Sequence, residues 1–228
     1  MQQLALSSNG NSLIDEISSS RNEPNWLKEY RNSALSIYQE LPAEVSPLYN
    51  KYSDAKRMNP EQVSLSINTD SKIPEFLTKR IDEVKNQTSI IQIGSNIHSV
   101  YLSDKLQSSG VIISSINDAL TQNNEIVEKT IKSSNSKEDK YTALNNAAFN
   151  TGVFVYIPKN LIIEEPIHIL SCLSEDGIST VSRNLIVAED NTKATIVQEL
   201  YSPKIQTQQA YLELLNTSVG SNSNLDLT

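Results

Sequence analysis

The chain has 228 residues and a formal net charge of −8 at pH 7, with 19 Lys plus Arg against 27 Asp plus Glu. That length can bury the core of one domain or two small ones, while an acidic surface with scattered basic residues excludes DNA or RNA as the principal partner. Cys172 is the only cysteine, which excludes an internal disulfide or a CxxC site and fits a reducing compartment.

The opening MQQLALSSNGNS has no basic region and too short an apolar run for a signal peptide, and no later run is long enough to span a bilayer. A soluble, cytoplasmic protein is expected. Leu13, Ile14 and Ile17 suggest a short first helix. From Trp26 the positions Trp26, Tyr30, Ala34, Ile37, Tyr38 and Leu41 recur at three- and four-residue steps, which predicts a helix with these residues on its core face. Pro24 suits its first turn and Pro42 ends it. Between Pro42 and Pro74 the sequence is turn-rich, with a possible short strand at Val63 to Ile67. Ser89 to Ile93, Val100 to Leu102 and Val111 to Ser114 read as strands, split by Gly94-Ser95-Asn96 and Ser109-Gly110. Ile116 to Leu120 and Glu125 to Ile131 return to helical spacing. The polar run SSNSKEDK, residues 133–140, reads as an exposed connection. The chain is therefore divided into a helical and mixed α/β region, residues 1–140, and a β region, residues 141–228.

Within the β region the stretch FVYIPKNLII, residues 154–163, looks alone like a hairpin. Asn160, Asn191 and Asn222 are each spaced by 31 residues, each with a β-rich run before it and apolar residues after. Asn tolerates the left-handed conformation of a sharp corner, so equal spacing suggests the coils of a β-solenoid. Regular turns also occur in a β-sandwich. The last residues, LDLT, read as the start of a strand with nothing to cap it, so the core is expected to be C-terminally incomplete.

Catalytic patterns are scarce: no Walker A loop, GxGxxG, HExxH, GxSxG or EF-hand occurs. His98 and His168 are the only histidines. His168 and Cys172 are metal-ligating types, but in an extended strand they share a face about 13 Å apart at a rise near 3.3 Å per residue, too far for one metal. Glu164-Glu165 could be the carboxylate pair of a polysaccharide-cleaving enzyme, yet adjacent strand residues face opposite ways. Trp26 and its neighbouring tyrosines fit a core face better than a partner-binding stripe. Arg183 and Asn184 lie beside a strand start, with no ligand-like spacing. No catalytic, cofactor-binding or metal residue is assigned.

Four ordered blocks carry a resemblance: EPNWLKEYRNSALSIYQELP (23–42), SPLYNKYSDAKRMNPEQ (46–62), KEDKYTALNNAAFNTGVFVYIPKNLIIEEPIHIL (137–170) and SRNLIVAEDNTKATIVQELY (182–201). Together they resemble the SufD/SufB family of iron–sulfur cluster assembly proteins, and the EPxWL-type helix is more similar to SufD. The resemblance implies a right-handed parallel β-helix (single-stranded solenoid) core behind an N-terminal α/β region. It also implies a non-enzymatic scaffold in the Suf complex, pairing through its β region with a SufB-like paralogue or itself. A SufC-like ABC ATPase would bind through a C-terminal region absent here. No cofactor is implied for this fragment; the iron–sulfur cluster belongs to the assembled complex. A β-helix polysaccharide-active enzyme and a non-catalytic β-solenoid interaction protein are the alternatives.

Overall fold

Two prolines bracket the first long helix and show how local chemistry sets the frame. The computed structural model describes residues 2–3, 6–42, 64–65, 72–133, 138–174, 176–204, 206–207 and 209–228. It begins with β1 (Gln2–Gln3), α1 (Leu6–Ser20) and α2 (Asn25–Glu40). Leu41, held extended at φ −72° and ψ 137°, is the residue before Pro42, where the proline ring disfavours the helical region. The first helix is longer than expected, and the buried face of α2 is Leu27, Arg31, Ala34, Leu35 and Tyr38. Trp26, Tyr30, Ile37 and Leu41 lie at its margin. The expected stripe is thus rotated, because α2 packs on both α1 and the later helix α7 (Lys140–Ala148), and the buried arc includes an arginine that hydrophobic counting skips.

β2 (Ser64–Leu65) is the described part of the expected strand at 63–67, whose other residues, like most of 43–71, lie outside the described residues. Next come α3 (Glu75–Val84), β3 (Ser89–Ile93), β4 (Asn96–Tyr101), α4 (Asp104–Ser108) and β5 (Ile112–Ser115). α5 (Ile116–Gln122) and α6 (Asn124–Lys132) follow, where helical spacing predicts them. Residues 134–137 of the expected connection lie outside the described residues. Its end is anchored: Asp139 caps α7 by accepting from the N–H groups of Tyr141 and Thr142 at 2.7 and 2.8 Å, as an N-cap should. Lys140 Nζ donates to the carbonyls of Tyr38 and Leu41 at the end of α2, satisfying acceptors that a helix C-terminus leaves open.

The remaining strands are β6 (Val153–Ile157), β7 (Ile167–Cys172), β8 (Ile178–Ala188), β9 (Lys193–Tyr201), β10 (Tyr211–Val219) and β11 (Asn224–Leu227). They join two sheets. One has the order β1-β2-β8-β6-β5 with β10 on β8, the other β11-β9-β7-β3-β4. Between the sheets lie Ile90, Ile169, Val155, Ile186 and Ile196. The opposite face of the first sheet, through Phe154, Val181, Leu185 and Val187, packs under residues of α1, α2 and α5–α7. The outer face of the second, through Ile91, Ile93, Leu170 and Cys172, is covered by Leu77, Ile81 and Val84 of α3. The layers are therefore helices, sheet, sheet and one helix, with apolar cores between them.

This α/β arrangement replaces the expected right-handed parallel β-helix. Both sheets mix directions: β1–β2, β3–β4 and β5–β6 are antiparallel, while β6–β8, β8–β10, β3–β7, β7–β9 and β9–β11 are parallel. A recurring corner residue sets the register between two strands but leaves open what pairs along their other edges, and helical layers cover faces that a single-stranded solenoid would present to water. FVYIPKNLII is not a hairpin either. Its first run is β6, and after the turn Ile162 forms a parallel bridge with Lys193 of the other sheet.

The 31-residue spacing itself is a register. Phe154 aligns with Leu185, Thr180 with Tyr211 and Lys193 with Asn224. Asn160, Asn191 and Asn222 take φ of 63°, 57° and 57°, the left-handed region that Asn tolerates better than other side chains. They stack at one corner: Asn191 Nδ2 donates to Asn160 Oδ1 at 2.9 Å, and Asn222 Nδ2 to Asn191 Oδ1 at 3.4 Å. Gly152 allows the close approach of β6 to β8, since a Cβ there would sit 1.9 Å from the Arg183 carbonyl oxygen. We expect Asn191→Ala to cost about 1–2 kcal/mol from left-handed strain and lost bonds, and Asn191→Gly less. Urea unfolding tests this; equal losses in the two variants would show that backbone conformation is not the constraint at this corner.

Candidate functional site

Three groups of side chains with chemical potential emerge from these layers. The first lies on the outer face of the second sheet. Alternation along β7 turns Ile167, Ile169 and Ser171 inward and His168, Leu170 and Cys172 toward α3. Arg80, one turn of α3 before Val84, reaches across to Glu199 of β9, with Nη2–Oε1 at 2.6 Å and Nε–Oε2 at 3.0 Å. Tyr201 donates its hydroxyl to the same carboxylate at 2.6 Å. His168 Nδ1 stands 3.7 Å from Glu199 Oε1, beyond hydrogen-bond length. Arg80's hydrogen bonds hold the Glu199 carboxyl below its usual range despite partial burial. Burial first, and the Arg80 charge second, hold the His168 imidazole below its ordinary value, outweighing the attraction of Glu199. At neutral pH the cluster is an Arg–Glu pair beside a neutral histidine.

Cys172 shares that face, as the sequence suggests, but its Sγ donates to the Leu173 carbonyl at 3.2 Å and burial pushes its thiol up to about 11. It is a buried neutral thiol rather than a thiolate ligand or nucleophile. Among the described residues no three His, Cys, Asp or Glu side chains converge as a metal site.

The second group is buried where the helices meet β8. Arg31, 0 % exposed, donates from Nε and Nη2 to both oxygens of Glu23 at 2.9 and 2.7 Å, from Nη1 to the Ala147 carbonyl, and lies 3.8 Å over the Phe149 ring. Arg183, in the expected pair with Asn184, points into this helix-facing layer and donates to Asn146 Oδ1. Burial pulls its guanidinium down to about 10, which leaves it charged at neutral pH. Asn184 faces the opposite way and accepts from the Val153 N–H at 2.8 Å and the Ser182 hydroxyl at 3.0 Å. Both residues of the pair hold the fold together. The Glu23–Arg31 pair escapes sequence reading; its one signal is an arginine interrupting the apolar arc of α2.

The third group is an open cleft of about 720 Å³, lined by the α3–β3 turn, the β4–α4 segment and residues 161–165. Glu164 and Glu165 both line it and both are exposed. They are not on opposite faces of a strand, as alternation suggests, because they lie in the irregular segment before β7. His98, on β4, lines a separate polar cleft with Arg21 and Asp118. The two histidines are separated in the sheet by β3. Among the described residues, no helix is long and apolar enough to cross a membrane.

Residues 18–169 match the family model described as the SufBD protein N-terminal region. An iron–sulfur cluster assembly SufBD family protein of Staphylococcus aureus (strain USA300) is 22% identical over 95% of this chain and 49% of its own length. A protein of the same description from Staphylococcus haemolyticus (strain JCSC1435) is 21% identical with the same coverage. The chain spans about half the length of the curated relatives it matches.

Two predictions follow from this geometry. Glu23→Gln leaves the Arg31 charge buried without its counter-ion and should cost roughly 3–5 kcal/mol in denaturant unfolding; a loss comparable to a surface substitution would mean that the pair is hydrated. Acidification should destabilise in two stages. The unfolded chain takes up a proton on His168 that the fold resists, so stability falls below about pH 6.5, and Glu199 adds a second decline below about pH 4.5. His168→Gln should flatten the upper stage in a series of urea midpoints; an unchanged slope there would refute the assignment.

Proposed function

Since the chain belongs to the SufBD family, we propose that it works in iron–sulfur cluster assembly as a scaffold component rather than as an enzyme. The observation that carries this reading is the match across residues 18–169, which runs in one continuous stretch from the end of α1 into β7. The printed names of the relatives point to the same process. In this reading the cluster is cargo of an assembled complex, and this portion of the chain supplies architecture instead of ligands. The thiol of Cys172 is neutral, buried and covered by α3, so it is poorly suited to hold iron.

The partners in this proposal are a SufB-like paralogue or a second copy, and a SufC-like ATPase. Affinity purification of the intact gene product from its own cells tests this, with an intact staphylococcal relative as reference. The expected outcome is co-purification of an ABC-type ATPase and a paralogue with both baits. Recovery of these partners by the reference alone would overturn the proposal.

A further inference from the structure

The register that repeats at 31 residues drops to 29 between β7 and β9 and returns to 31 between β8 and β10. Ile162 pairs with Lys193, an offset of 31, but Ile167 pairs with Ile196, an offset of 29. In the next pass the offset is 31 at both corresponding points, from Lys193 with Asn224 to Ile196 with Leu227. The segment from Ile162 to Ile167 therefore carries two residues more than its neighbour and bows outward. The excursion brings Glu164 and Glu165 to the rim of the cleft. Bulges of this kind re-aim side chains and are common beside functional sites.

The chemistry at the excursion is specific. Ile162 is 64 % exposed and Val100, also on the cleft wall, 39 %; Leu102, Leu106 and Leu161 continue the apolar surface in partial burial. Among the described residues no hydrogen bond or ion pair engages either Glu164 or Glu165; of the two lysines on the cleft, Lys85 pairs with Asp82 at 2.9 Å, and Lys105, exposed on the α4 side, is the one cation that a basic ligand has to avoid. Two free carboxylates beside exposed aliphatic side chains would be satisfied by apolar residues flanked by positive charge.

We propose that this cleft is a docking site for a short basic–aliphatic segment of a partner polypeptide, its apolar side chains against Ile162 and Val100 and its Lys or Arg side chains on Glu164 and Glu165. The site stands independently of the cluster-assembly reading. The test uses the 228-residue chain labelled with ¹⁵N, titrated with a capped peptide of alternating leucine and lysine and, in parallel, with its leucine–glutamate counterpart. Saturable amide shifts at residues 100–106 and 161–165 are expected for the lysine peptide, weakened by salt. Affinity should fall about tenfold or more for the leucine–glutamate peptide, for Ile162→Ser and for the double variant Glu164→Lys/Glu165→Lys. All altered residues are exposed, so unchanged spectra elsewhere would certify folding. Equal binding of both peptides, shifts centred elsewhere, or no saturable shift would each overturn the proposal.

Discussion

The helical layer depends on one buried charge pair. Arg31 brings a guanidinium into the interior, and desolvating that group without a counter-ion is prohibitive. Glu23 must therefore stay where both its oxygens meet the guanidinium, and Ser18 at the end of α1 donates to that same carboxylate at 3.0 Å. The turn between α1 and α2 is thus tied into the interior, and the Nη1 bond to Ala147 brings in the end of α7. From there Asn145 donates to the Ser182 carbonyl at 2.8 Å and Asn146 accepts from Arg183. A single electrostatic requirement thus extends from the first helix to the central strand β8. Geometric exactness matters more here than attraction, since a buried pair offsets its desolvation only when its hydrogen bonds are complete.

The opposite side of the molecule uses charge differently. Arg80 and Glu199 are partly exposed, with side chains 27% and 21% accessible, and their bidentate geometry fixes α3 across β9 over an apolar layer that supplies most of the holding force. Surface charges such as Lys159 and Asp190, at 3.2 Å, contribute little by comparison.

Much of this was legible before the structure, and what was not has physical causes. The bounds of α2 and the position of β3 follow from proline punctuation and β-branched runs. The asparagine spacing gives a register, but not the antiparallel partners or helical layers that place the register in an α/β fold. α7, KYTALNNAA, is buried at seven of its nine residues, so it has no polar face to produce a helical period and reads as featureless. The excursion at Glu164–Glu165 is hidden for another reason. From Cys172 to Thr180 is eight residues, and from Tyr201 to Tyr211 ten; the later shortening cancels the earlier insertion, and the asparagine spacing keeps its value. Arg31 escapes because its partner lies eight positions away, outside any helical pairing rule.

The corner asparagines form a column with a direction. Both bonds run from an amide N–H to the amide oxygen 31 residues earlier, so the members are chemically unequal. Asn160 serves only as acceptor, and a carboxylate in its place could still receive the Asn191 Nδ2 hydrogen. Asn191 must do both, donating at 2.9 Å and accepting at 3.4 Å. Hydrolysis of its side-chain amide during ageing would set oxygen against oxygen on one side while leaving the other bond intact. The same chemical lesion is therefore compatible with the stack at one position and disruptive at the next, although the two residues share backbone conformation, register and exposure to water.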